Sequence, residues 1–230
     1  MVSRTEENLE KIKAGLVKLG CNPELVSYIA ADITTNEGTD HLVSSLPQDK
    51  NIYWVQSIGM GGGSYKVPND NIYLPFEHIS PELIEAEMKI VTATHMLMLK
   101  MVPIFRKQIH GGYKSKIVVV TSMSGERGYH FGATHVAAKH AIVGYVKGIE
   151  KELRDEGIEI YDVRPGGVDT GMYDNPHTKK AVEEIGQRDK MWGTFEPYYA
   201  HPLWVAEAIY DDLFGGNPQK IRKILGPHQN

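Results

Sequence analysis

Cysteine is almost absent. Cys21 stands alone among 230 residues, which excludes an intramolecular disulfide and fits a reducing compartment. No uninterrupted apolar run approaches the roughly 18 residues that read as a membrane span. The opening MVSRTEENLEK is too polar for a secretory leader. Charge of one sign is scarce too. A formal net charge of −4 leaves no electrostatic footprint for nucleic acid and no polybasic patch for a membrane surface. The ten histidines are scattered, and neither His-Glu-x-x-His nor Cys-x-x-Cys occurs, so no metal site is expected. Gly-x-Ser-x-Gly is missing, since the serine segment reads TSMSG, which argues against a nucleophile elbow. The expectation is a cytoplasmic protein with neither nucleic acid nor membrane as partner.

What is there is ordinary for a globular chain: 41% hydrophobic and 23% charged residues, with enough length to bury the core of one domain over residues 1–230. Ser3 and Glu6 read as a capping box for a helix carrying Leu9, Ile12, Leu16 and Leu19, with Gly20 as its stop. Leu25–Ala31 reads as a strand running into Asp32, Glu37–Leu46 as a short helix, and Ile52–Val55 as a strand leading to Gly59 and Gly61–Gly63. Ser64–Ser80 is a loop long enough for a binding role. Pro81–Lys107 is helical and apolar nearly all round, hence buried on more than one side, with Pro103 expected to kink or end it. The β-branched run Lys116–Thr121 fits a central parallel strand. Ala133–Asp155 is a second long helix, Ile158–Val163 a strand, and Pro202–Phe214 a final amphipathic helix, with an irregular stretch after Thr170. The alternation of strand and helix predicts an open parallel sheet covered on both faces.

The segment KIVVVTSMSGERGYHFGATHVAAKHAIVGYVKGIEKELRDEGIEIYDVRPGGVDTGMY closely resembles the catalytic half of the short-chain dehydrogenase/reductase superfamily. In that family a strand ends in a catalytic serine, a helix carries Tyr-x-x-x-Lys, and the next strand ends in Pro-Gly. Ser122, Lys139 and Pro165-Gly166 occupy those places, with His135 in place of the tyrosine. The resemblance extends to Met1–Arg4 as the end of the family's second strand, where a basic residue often meets an NADP phosphate. It also assigns Asp32 to the adenine contact, Gly59 to the Asn-Asn-Ala-Gly turn and Thr170 to the nicotinamide carboxamide. The fold it implies is a Rossmann-like α/β sheet. The family's first βα unit, with its Gly-rich phosphate turn, has no counterpart in these residues.

These departures shape the functional expectation. The family asparagine that organises a water relay falls at Ile90, which cannot hold a water. Without the phosphate turn, NAD(P) is not expected unless Asp32, Gly59, Pro165, Gly166 and Thr170 belong to a rebuilt site. The leading expectation is therefore non-redox acid–base chemistry on a small oxygenated molecule. His135 and Lys139, four apart on one helix face, would move protons, and Ser122 would hold a substrate oxygen. A silent subunit paired with an active relative is the rival from another class. An NAD(P)-dependent oxidoreductase is the alternative. Tyr129 is the nearest tyrosine upstream of His135, and Asp169 and Asp174 read as loop carboxylates. With the first strand missing, the strand at Ile52 must pair with the one before it, leave an edge exposed, or borrow a strand. A homo-oligomer or hetero-oligomer follows as an expectation.

Overall fold

The structure is a computed structural model and describes residues 1–47, 49–59, 73–171, 174, 176–188 and 199–226. Six strands and six α-helices follow one another along these residues, alternating until α5 and α6. They are β1 (Val2–Ser3), α1 (Glu6–Lys18), β2 (Ile29–Ala30), α2 (Asn36–Ser44), β3 (Ile52–Gln56), α3 (Pro81–His110), β4 (Ser115–Val120), α4 (Ala133–Asp155), β5 (Glu159–Pro165), α5 (Pro176–Arg188), α6 (Pro202–Phe214) and β6 (Ile221–Ile224). All strand pairs are parallel. Helices cover both faces of the larger sheet, as a Rossmann-like α/β fold requires. On one face Ile52, Ile117, Val119, Ile158 and Ile160 pack against α3 and α4 residues including Leu97, Met98, Met101, Phe105, Ile142 and Val146. On the other, Val118, Tyr161 and Val163 pack against Ala208 and Leu213 of α6. Alternate residues of β4 thus serve opposite cores, which explains its continuous apolar run.

The sheet is divided. β1 pairs only with β2, and the order β3-β4-β5-β6 forms a separate sheet of four. Of the three fates open to the Ile52 strand, the second holds among the described residues: β3 bonds β4 on one side and keeps a free edge on the other.

Several local expectations need correction. Ser3 lies in β1. Thr5 takes the N-cap of α1 and makes no side-chain capping bond. The strand read over Leu25–Ala31 shrinks to Ile29–Ala30, because Pro23–Leu25 closes into a 3₁₀ turn capped by the Asn22 side chain. Pro103 does not end α3, which runs to His110. On average α3 also reaches the length and apolarity of a membrane-crossing helix, although no single run suggests it. Its buried residues form the core against the sheet and α4. The stretch after Thr170 is not wholly irregular. α5 seats Ala181, Val182 and Ile185 against Tyr73, with Tyr129 and Phe131 alongside. β6 extends the sheet beyond β5, where no strand was expected. The Gly61–Gly63 run and residues 64–72, 172, 173, 175 and 189–198 of the two loop expectations lie outside the described residues.

Candidate functional site

Ser122 lies two residues past the end of β4 and caps a short 3₁₀ turn over Met123–Gly125, where its Oγ accepts from the Ser124 amide at 3.0 Å. That turn rests on α4. A Cβ built at Gly125 would stand 2.4 Å from Val143 Cγ2 and 2.9 Å from the Lys139 carbonyl oxygen. Only glycine permits so close an approach, and it registers the serine loop against the helix that bears His135 and Lys139.

His135 occupies the first turn of α4. Its Nδ1 lies 2.9 Å from Oε1 of Glu87 on α3. The Glu87 side chain is 3% exposed and that of His135 14%. With Nδ1–H donating to the carboxylate, the neutral ring keeps its lone pair on Nε2. The carboxylate also lies near the positive end of α4, a favourable place for an anion. Lys139 is buried one turn further along. Burial pushes its pKa below the ordinary 10.5, and the Glu87 charge partly opposes this. Glu87, His135 and Lys139 therefore form one electrostatic unit, while no direct bond joins Ser122 to His135 or Lys139 among the described contacts. A Cβ at Gly59 would sit 3.9 Å from Lys139 Nζ, so the loop after β3 passes beside the ammonium.

Glu87 escaped the sequence reading. The signal was present: it shares the spacing Leu83, Glu87, Ile90 with two core residues of the same helix. A carboxylate on a buried apolar stripe needs a partner. Ile90 itself is core, as expected of a side chain with no polar atom. Tyr129 packs near Tyr73 at a ring separation of 6.1 Å, and a Cβ at Gly132 would strike its ring.

The cofactor candidates separate into two groups. Asp32 and Gly59 line one cavity of about 500 Å³, together with Arg4, Thr34 and Ser57. Burial raises the Asp32 pKa, but bonds from the Thr34 hydroxyl and amide, with Arg4 and Lys89 nearby, outweigh it and hold the group below its ordinary value. Pro165, Gly166 and Thr170 do not line this cavity. Pro165 pairs with Ile224, Gly166 N donates to Ile224 O at 2.8 Å, and Thr170 is exposed with its hydroxyl turned to Val168 O. Those three are used in ending β5 and in the loop that follows.

Beneath the serine loop lies a buried ionic knot. Arg164 binds Asp162 Oδ2 through Nε (2.7 Å) and Nη2 (2.5 Å), and Glu126 Oε1 through Nη1 (2.7 Å). Thr121 Oγ1 donates to Asp162 Oδ1. The knot ties the ends of β4 and β5 together beneath Ser122. Among the described residues no cluster of histidine, cysteine and carboxylates could hold a metal ion.

A dinucleotide can be tested against this geometry. Arg4 offers a cation, Asp32 a carboxylate, and Gly59 leaves space beside Lys139, so the cavity rim fits part of such a cofactor. A Gly-rich turn leading into a helix, the usual pyrophosphate cradle, does not line the cavity among the described residues.

The family model described as short chain dehydrogenase matches residues 1–181. An uncharacterized oxidoreductase, YmfI of Bacillus subtilis, is 30% identical over 166 residues, covering 72% of this chain and 61% of that protein. Short chain dehydrogenase adrF of Penicillium roqueforti is 37% identical over 82 residues, covering 36% of this chain and 30% of that protein. The chain thus spans less than two thirds of these relatives' length. Among solved structures, 3-ketoacyl-(acyl-carrier-protein) reductase from Brucella melitensis, complexed with NADH, superposes with a TM-score of 0.74. Its identity is 16%, and the match covers 100% of this chain and 86% of that one. Carveol dehydrogenase from Mycobacterium avium, in complex with NAD, gives 0.73 at 18% identity, covering 96% and 79%. The serine-ended strand, the lysine on the following helix and the family match over residues 1–181 together make this chain a member of the short-chain dehydrogenase family.

Proposed function

We propose that the chain is an oxidoreductase of the short-chain class, linked to NAD(P), acting on a small hydroxyl- or carbonyl-bearing substrate. This replaces the non-redox chemistry favoured by the sequence alone, because the two relatives named above are described as an oxidoreductase and a dehydrogenase and the two solved structures named above are complexed with NADH and NAD. The observation that carries the reading is the buried Glu87–His135 hydrogen bond at 2.9 Å, set one helical turn from Lys139 with Gly59 against its ammonium. When bound, the nicotinamide supplies or accepts a hydride. Arg4, Asp32 and Gly59 would hold part of the cofactor, with Lys139 beside Gly59. His135 Nε2 exchanges the proton at the substrate oxygen, the place the family gives to tyrosine. Glu87 orients the imidazole, fixes its tautomer and stabilises the ring when it is protonated, as a buried carboxylate does for a catalytic histidine. Ser122 Oγ donates to the same substrate oxygen.

Titration of the pure protein with NAD⁺, NADH, NADP⁺ and NADPH tests this directly. Micromolar binding of one pair is expected, and binding only at millimolar levels would defeat the proposal. Glu87→Gln should leave cofactor affinity unchanged. It should lower kcat by about 10²–10⁴-fold, the range of general acid–base catalysis, with little change in KM.

One observation favours a second reading. The cavity has no Gly-rich pyrophosphate cradle among its described lining residues. Under that reading the same pair performs acid–base chemistry without redox, or the chain serves as a subunit of an active relative. Exposed apolar side chains support an oligomer under either reading: Leu203, Trp204, Tyr210 and Phe214 on α6, and Ile84 and Leu99 on α3.

A further inference from the structure

Five charged side chains are buried among the described residues, and four of them are paired. Glu87 meets His135, Asp162 meets Arg164, and Asp212 meets Arg222. Lys139 is the exception. It is 8% exposed, and no hydrogen bond or ion pair holds its Nζ among the described residues. Glu87 acts on it through space only. A lone ammonium out of water is costly, and an amine relieves that cost by giving up its proton.

The amine also has room in front of it. A Cβ built at Gly59 would stand 3.9 Å from Nζ, and Gly59 lines the cavity of about 500 Å³. A small molecule in that cavity therefore approaches the amine across a residue with no side chain. His135 lies one turn back on the same helix face. Its Nδ1 is committed to Glu87, which leaves Nε2 to carry protons.

We propose that Lys139 is a nucleophile, and that its Nζ captures a small uncharged aldehyde as an imine. This activity goes beyond the oxidoreductase reading and needs no cofactor. The step closes on these residues alone. The Nζ lone pair attacks the carbonyl carbon, and the C=O π pair moves to oxygen. His135 Nε2 takes one proton from the nitrogen and delivers it to that oxygen, giving a carbinolamine. As the C–O bond breaks, Nε2 takes the second nitrogen proton and passes it to the departing oxygen. Both amine protons end on one water molecule, and C=N replaces C=O with no change of oxidation state. Glu87 stabilises the imidazolium between each uptake and delivery.

The surroundings select the ligand. Burial holds the Lys139 pKa below its ordinary 10.5, which raises the share of free amine, the form that attacks carbonyls. The Glu87 carboxylate disfavours an anion such as a keto acid. The narrow gap at Gly59 admits a carbonyl with one substituent more readily than one with two, which favours an aldehyde over a ketone.

The test uses the intact chain without cofactor. The probe is one equivalent of propanal at pH 7, with cyanoborohydride to trap the imine as a stable propylamine, and peptide mapping reads the label at each lysine. Lys139 should carry about tenfold or more the label of Lys147 and Lys151, which are exposed on the same helix. His135→Phe should cut the Lys139 label about tenfold or more and leave Lys147 unchanged. Glyoxylate, an anionic aldehyde, should lose the preference for Lys139. In the parent chain, a Lys139 label no greater than that of Lys147 would overturn the proposal, whatever the variant does. A Lys139 label untouched by His135→Phe, or a preference kept with glyoxylate, would overturn it as well. Failure to bind NAD(P) would defeat the oxidoreductase reading and leave this one standing.

Discussion

Each residue at the centre of this molecule is shaped by what surrounds it. Lys139 shows this most directly. Burial lowers its pKa and Glu87 only partly restores it, so the folded chain holds this proton less tightly than the unfolded chain. The sign follows from proton linkage: the unfolded state binds more protons below pH 10.5, and stability rises with pH through that window. The Lys139 contribution is complete above the unfolded pKa and is lost as pH falls through the folded one. Lys139→Met removes that dependence. The Tm of the variant relative to the parent should therefore be most favourable on the acid side and decline steadily as pH is raised towards 10.5. A difference that stays constant from pH 6 to pH 10 would show that the lysine is not desolvated in solution. Glu87 and His135 are a different case. They satisfy each other across two helices, and removing either leaves a buried polar group without its partner.

At the scale of elements, short contacts fix how helices sit on the sheet. α2 begins at Thr35, whose side chain accepts from Gly38 N at 3.1 Å. Gly38 itself presses on Asp32, where a Cβ would meet the carbonyl oxygen at 2.1 Å. Lys100 of α3 reaches across to Thr39 Oγ1 at 2.8 Å and Asp40 Oδ1 at 2.7 Å. The cap and the crosslink together hold the Asp32 turn beside the cavity. Thr35→Ala should cost about 1 kcal/mol in urea unfolding, the usual worth of an N-cap. It should also loosen the Asp32 turn, seen as faster amide exchange at Thr34. A loss of stability with Thr34 exchange unchanged would separate the cap from the site. α5 and β6 show why some elements were not read from sequence. In HTKKAVEEIGQR the apolar residues are outnumbered by charges, and Ala181, Val182 and Ile185 become a core only when Tyr73 arrives from far along the chain. In IRKI, two adjacent cations between isoleucines break any alternation and leave nothing to separate the segment from loop. It is a strand because β5 offers it an edge.

Across the whole molecule, the ends of β4 and β5 are held by charge as well as by apolar packing. Arg164 is 1% exposed between two carboxylates. Burial raises the Glu126 pKa, but Lys223 and Arg164 bring it below the ordinary value. Asp162→Ala should destabilise by about 3–5 kcal/mol, the cost of stranding one member of a buried ion pair. An effect under about 1 kcal/mol would mean that water reaches the knot. The divided sheet is the other global feature. A five-residue edge on β3 and a two-residue sheet at β1–β2 leave β1 and β2 unbonded to the larger sheet among the described residues, while Lys100 crosslinks α2 to α3.

The sequence by itself determined the α/β class, the parallel sheet, the two long helices and the places of Ser122, His135 and Lys139. Each of these is written in a local period, or in a motif whose members lie on one strand end or one helix turn. Only the tertiary structure decided that His135 is partnered by Glu87, that Asp32 and Gly59 share a cavity while Pro165, Gly166 and Thr170 do not, and that the sheet parts between β1 and β3. Those facts depend on which face of one element meets another across tens of intervening residues. Burial, orphaned edges and desolvated charges exist only once the chain has closed on itself.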